Sequence, residues 1–214
     1  MPKITQLFFG LGIALQAVLF PWLTLRPQWG ANQLLLGCLI GLAISLALAY
    51  THWHSLWWLG LITVLVVILA SVQPRLLPLL LVQLVLTWLL TTQKMQTAPL
   101  LSLIFGQMLL AQLIWFFALV HSLPLYNLID LGLIYLAALM MLWQPRLPRW
   151  GYALLALAVL SLGYGLQRLN LGAIIGMAII FVLLALPKKP LAPWVYNLLP
   201  VCLSLLMIAA RSQG

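Results

Sequence analysis

Acidic side chains are almost missing from this chain. One, Asp130, stands in 214 residues, against ten Lys and Arg. Charged residues of both signs make up 5% of the sequence, whereas a soluble domain carries about a quarter. So little charge cannot cover a water-facing surface, and the composition implies an integral membrane protein. The shortage also excludes chemistries. Paired-carboxylate catalysis, acidic metal sites and two-Asp intramembrane proteolysis each need more than one acid. Cysteine is scarce as well. Cys38 and Cys202 both lie within apolar runs, so neither a disulfide framework nor a thiolate metal cluster is implied. H-E-x-x-H, G-x-S-x-G and G-x-x-x-x-G-K-[ST] are all absent, as are the Asp clusters of lipid-headgroup transferases. No enzyme, metal or cofactor is expected on these grounds.

What is present is apolar. Hydrophobic residues make up 65% of the chain and mean hydropathy is +1.17. A membrane-spanning helix needs about 20 apolar residues, within a range of about 17–25. Nine runs qualify or nearly so: 4–25, 31–50, 56–72, 76–92, 98–120, 125–143, 150–166, 171–186 and 192–210. They are continuous rather than alternating, which excludes a β-barrel and leaves helices. The fold class is therefore all-α: a polytopic helix bundle of nine spans with very short loops, forming one transmembrane domain over 1–214. Eight spans is the alternative, because 171–186 has 16 residues, about 24 Å of helix against a hydrocarbon core of about 30 Å. The first run follows Lys3 but is too long for a signal-peptide core and lacks an A-x-A-like site, so it reads as an uncleaved span.

Proline and polar clusters separate the runs, among them Gln73-Pro74-Arg75, His121-Ser122-Leu123-Pro124, Gln144-Pro145-Arg146 and Gln167-Arg168-Leu169-Asn170. Eight of the ten tryptophans stand at run ends, where an amphipathic ring prefers the membrane interface. The cations are scattered through the gaps with no basic stripe, so +9 of net charge points to lipid headgroups and not to nucleic acid. With nine spans, Lys3, Lys94, Arg146, Arg149, Lys188 and Lys189 share one side, and Arg26, Arg75, Arg168 and Arg211 the other. That imbalance of six to four places the N-terminus in the cytoplasm.

Two further patterns concern packing. Pro27-Gln28-Trp29-Gly30 resembles Pro148-Arg149-Trp150-Gly151, and Leu76-Leu77-Pro78-Leu79 resembles Leu198-Leu199-Pro200-Val201, at offsets of 121 and 122. Together they outline an inverted repeat of four spans, one linker span and four spans, an arrangement typical of secondary transporters. Such matches also arise by chance in a chain this rich in Leu, Pro and Trp. Small residues recur every fourth position at Gly37, Gly41, Ser45 and Ala49, and at Gly172 and Gly176, which marks helix-packing seams.

Asp130 lies near the start of the sixth run. An ionisable group in a span is a functional candidate, here for ion coupling. A structural role competes: Asn127 as helix cap with Asp130 three residues on, or an ion pair with Arg26, Arg75, Arg168 or Arg211. Gln83, Thr87 and Thr91 share one face of the fourth run, and Gln107, Gln112 and Gln16 add amides elsewhere. Such groups either join helices or line a polar path. His52 and His54 lie opposite His121 in this topology, so the three cannot share a metal. Two functions fit. The first is a non-enzymatic subunit or assembly partner of a membrane complex. The second is a small secondary transporter or channel, with Asp130 as coupling residue and Asn127, Gln83, Thr87, Gln107 and Gln112 along the path. The partners expected are the lipid bilayer and other membrane subunits.

Overall fold

A computed structural model describes residues 3–25, 33–51, 56–92, 96–185 and 191–211. Among the described residues there are nine α-helices: α1 (Lys3–Leu25), α2 (Gln33–Thr51), α3 (Leu56–Val72), α4 (Leu77–Thr92), α5 (Thr97–Val120), α6 (Leu125–Trp143), α7 (Arg149–Gly165), α8 (Leu171–Ala185) and α9 (Pro193–Arg211). No strand occurs among the described residues. Every helix falls on one of the nine apolar runs, with each end within two residues of the run's own. Among the described residues, five stretches are long and apolar enough to cross a membrane: Ile4–Leu25, Gln33–Thr51, Pro74–Thr92, Thr97–Val120 and Leu125–Arg146. Trp57–Val72, Leu171–Ala185 and Pro193–Ala209 are apolar but shorter.

Local chemistry sets the helix ends. The tetrapeptide Gln-Pro-Arg-Leu occurs at 73–76 and again at 144–147, each time with a short 3₁₀ segment: Pro74–Leu76 leads straight into the next helix, and Gln144–Arg146 gives way to an extended Leu147. Proline cannot donate to the preceding turn, which stops α3 and α6. The leucine N–H then donates to the glutamine carbonyl, at 3.0 Å for Leu76 and 3.1 Å for Leu147. The turn between α7 and α8 is more elaborate. Gln167 takes a left-handed conformation, φ 55°. Its N–H donates to the Tyr164 carbonyl at 2.8 Å, and the Arg168 N–H reaches back to Gly163 at 2.9 Å. Those two bonds are a Schellman motif, which satisfies the last carbonyls of α7. Two residues later Asn170 caps α8, its Oδ1 accepting from the Ala173 N–H at 2.9 Å.

The chain divides into two compact units, Met1–Pro124 and Leu125–Gly214, the boundary falling in the His121–Pro124 separator. In the first unit each helix packs on the next, and α5 closes back on α1. Phe20 meets Phe116 edge-on at 6.1 Å, and Trp22 meets Trp115 at 6.3 Å, across that α1–α5 seam. In the second unit α6, α7, α8 and α9 pack in sequence, and α9 closes on α6. The closures differ, first helix on fifth in one unit and first on fourth in the other. A four-span repeat calls for the same closure in both. Pro27 to Gly30, one half of the tryptophan match, lies outside the described residues.

The small-residue seams are used in part. Ser45 and Ala49 are buried, and Gly41 faces Leu65 of α3, but Gly37 is exposed. On α8 the pair splits similarly. A Cβ on Gly176 would stand 2.4 Å from a Leu206 methyl of α9, so the absence of a side chain there permits the α8–α9 approach. Gly172 is exposed and meets only the Asn170 side chain within 4 Å.

A left-handed residue other than glycine carries a backbone cost of roughly 1–2 kcal/mol. Gln167→Gly is therefore expected to stabilise the protein by about 0.5–1 kcal/mol, read as a higher midpoint of thermal unfolding in detergent. A lower midpoint would mean that the Gln167 side chain itself holds the turn.

Candidate functional site

Asp130 is the sixth residue of α6 and is fully buried. The α7–α8 turn delivers its partner. Arg168 follows the left-handed Gln167 and precedes the buried Leu169, which packs on Gly163. With its backbone N–H tied to Gly163, the Arg168 side chain reaches α6. Its Nε donates to Asp130 Oδ1 at 2.9 Å and one terminal nitrogen to Oδ2 at 2.8 Å. This is the two-pronged arginine–carboxylate geometry, the strongest of the charge-assisted pairs. Tyr126, one turn before Asp130, lies under the guanidinium at 4.9 Å from its ring centre. The bonds to Asp130 hold the guanidinium even further above neutrality than usual.

The ion pair thus falls to Arg168 among the four arginines. Arg75 belongs to the first unit, while Arg26 and the Arg211 side chain lie outside the described residues. The cap expected at Asn127 is corrected. Helix α6 begins at Leu125, so Asn127 stands within the first turn, half-buried, and Asp130 within the second. Pro124 stands immediately before the first helical residue, so Asn127 falls inside the helix and not at its cap.

The amides and hydroxyls of the first unit gather into a separate arrangement. Tyr50 on α2 donates its hydroxyl to Gln107 Oε1 on α5. Gln107 Nε2 donates to Thr87 Oγ1 on α4 at 2.6 Å, and Thr87 donates on to the Gln83 carbonyl at 2.8 Å. All four residues are buried. Thr91, one turn further, donates to the Thr87 carbonyl at 2.8 Å. One chain of hydrogen bonds therefore ties three helices. Gln112 is not part of it. It lies five residues beyond Gln107, roughly 140° around α5, and donates to the Gln16 carbonyl on α1. The side-chain amide of Gln83 is buried at both atoms and has no hydrogen-bond partner among the described residues. Asp130 and Asn127 belong to the second unit, so the expected path residues divide between the units.

Tyr50 and Tyr126 were not expected in these clusters. Tyr126 was legible in principle, since it stands at i−4 from Asp130 on the same helix face. Tyr50 carries no such signal, because its partner is 57 positions away. His121 is exposed, takes a left-handed conformation that ends α5, and bonds through Nδ1 to the Gln73 amide. His52 and His54 lie outside the described residues, as do Lys94, Lys188 and Lys189. No protein-family model, curated protein or solved structure matches the chain.

Asp130 is fully buried and Arg168 partly exposed. Losing the carboxylate breaks charge-assisted hydrogen bonds worth about 1.5–3 kcal/mol, less than the cost in a wholly buried pair because the arginine can turn toward water. Replacing both partners with apolar groups is often nearly neutral. Asp130→Asn should therefore destabilise the protein by about 2 kcal/mol, and Asp130→Leu with Arg168→Met should recover most of that loss. Denaturant unfolding of the four-member cycle is the check. A double variant no better than the worse single one would deny the pairing.

Proposed function

We propose that this chain is a non-enzymatic, multi-pass membrane protein that serves as a subunit or assembly partner of a membrane complex. The membrane placement is supported by the outward faces as well as by the five long apolar helices. Val64 and Val67 on α3, Val82 and Val85 on α4, Leu154 and Leu157 on α7, and Ile175 and Ile179 on α8 are all exposed. In water such faces would aggregate; in lipid they are solvated. The described arginines Arg75, Arg146 and Arg168 stand between helices, and Arg149 begins α7. In the nine-span reading the N-terminus is cytoplasmic, with Arg146 and Arg149 on that side and Arg75 and Arg168 on the other.

One observation carries the assembly role: three of the side chains that a conduction path would use, Thr87, Gln107 and Gln112, are committed to holding helices together. Thr87, Gln107 and Tyr50 bond one another across α4, α5 and α2, and Gln112 joins α5 to α1. The single carboxylate is engaged at both oxygens by Arg168. These groups act as internal glue. A second reading, a small transporter or channel, draws on the unpartnered Gln83 amide beside the Thr87–Gln107 bond, since a buried amide is a natural contact for a polar solute.

Purification of the tagged chain from its native membrane in mild detergent tests the proposal. The expected result is a membrane protein that co-purifies at fixed stoichiometry through size exclusion, and does so equally with Asp130→Asn wherever that variant folds. A monomer that drives ion-gradient-dependent solute uptake in proteoliposomes, lost in Asp130→Asn, would support the transporter instead.

A further inference from the structure

The second unit carries a cavity of about 390 Å³ between α7 and α8, within the range of about 300–1,000 Å³ usual for small-molecule sites. Its walls are apolar and partly built from small residues: Ala153, Ala156 and Leu160 on α7, Ala178 and Val182 on α8. At one end Tyr152 crosses Phe181 at 90°, its hydroxyl spent on the Phe181 carbonyl at 3.1 Å, so the tyrosine presents a ring and no free polar group. The mouth differs. Arg149 lines it, exposed, with no hydrogen bond or ion pair among the described residues.

That arginine has nothing in its own chain to neutralise it. The only side-chain carboxylate is Asp130, buried and taken at both oxygens by Arg168. Arg146, nearby in sequence, lies over the Trp143 ring at 4.6 Å. The chain leaves Ala185, another lining residue, directly toward Lys188 and Lys189 in sequence, so no acid follows there either. The charge at the mouth therefore calls for an external anion.

Length decides between occupants. From Arg149 to Leu160 the α7 wall covers twelve residues, a rise of about 16 Å at 1.5 Å per residue. That is half of a hydrocarbon core of about 30 Å, the depth of one leaflet. A partner transmembrane helix would need a wall of full thickness. A phospholipid acyl chain needs the depth of its own leaflet, and its phosphate then lies at the level of the arginine. Exposed Trp150, next to Arg149, occupies the interfacial position expected at that level. We propose that the α7–α8 groove holds one acyl chain of an anionic phospholipid, with Arg149 on its phosphate. The site rests on the membrane-spanning reading and, through orientation, draws from the cytoplasmic leaflet, where anionic lipids concentrate.

The test uses the full-length protein in mixed micelles of phosphatidylglycerol and phosphatidylcholine, with retained lipid counted by native mass spectrometry. Wild type should keep one lipid and favour phosphatidylglycerol about fivefold, the worth of one surface cation. Arg149→Gln, at an exposed position, should keep the lipid and lose the preference. Ala156→Trp should lose lipid of both kinds, and Val85→Trp on α4 should change neither. Leu160→Phe, a smaller change in the same wall, stands in if Ala156→Trp does not fold. Free inorganic phosphate should not displace the lipid. Absence of preference in wild type, a preference untouched by Arg149→Gln, or displacement by phosphate would overturn the proposal. Alkaline carbonate extraction separates the two levels: a chain that stays in the membrane yet shows no preference refutes the groove alone, and a released chain refutes the membrane reading beneath it.

Discussion

A chain with one carboxylate and outward faces of Val, Leu and Ile has little means of satisfying polar groups from outside, so each one must be met from within. That constraint orders much of what the structure contains. Backbone groups are consumed in helices, and at the ends where helices leave them over, specific devices take them up: the Schellman turn after α7, the Asn170 cap on α8, and the short 3₁₀ segments of the two Gln-Pro-Arg-Leu stretches. Threonine and serine hydroxyls fold back onto carbonyls one turn earlier, as Thr63, Ser45 and Ser204 do on Leu59, Gly41 and Pro200. Gln83 stands apart, its amide buried without a partner among the described residues.

The same constraint gives the Asp130–Arg168 pair its character. The Asp130 charge would not be tolerated alone in its buried position, and the pair supplies little net stability beyond its own desolvation. Its value lies in specification. It ties the α7–α8 turn to α6 through both carboxylate oxygens. The packing of Leu169 on Gly163 and the ring of Tyr126 then fill the space around it. In the first unit the Tyr50–Gln107–Thr87 bonds do comparable work between α2, α5 and α4 with neutral groups.

Helix positions were plainly legible in the sequence, since long apolar runs broken by proline leave one solution. The partner of Asp130 was narrowed to four arginines by counting spans, because span parity puts a loop on one side or the other. What parity cannot supply is which loop is near, and that depends on the turn after α7, set by a left-handed Gln167 that no sequence rule flags. Asn127 misled because a capping residue is recognised by type, while the helix starts two residues earlier, at Leu125. The joining of Gln107 to Thr87 and Tyr50, and of Gln112 to Gln16, depends on how α5 is rotated. Helices that are apolar all round carry no amphipathic stripe to indicate rotation.

Tyr50, Thr87, Gln107 and Gln112 join helices of the first unit and do not meet water. Thr87 is the test position, being fully buried and at the middle of the hydrogen-bonded chain. Thr87→Cys, with Cys38 and Cys202 replaced by serine, can be exposed in sealed vesicles to a small membrane-impermeant thiol reagent from either side. The account predicts no reaction from either face until the protein is denatured. Labelling of the folded protein at a rate near that of an exposed cysteine would contradict it and place Thr87 on an aqueous path.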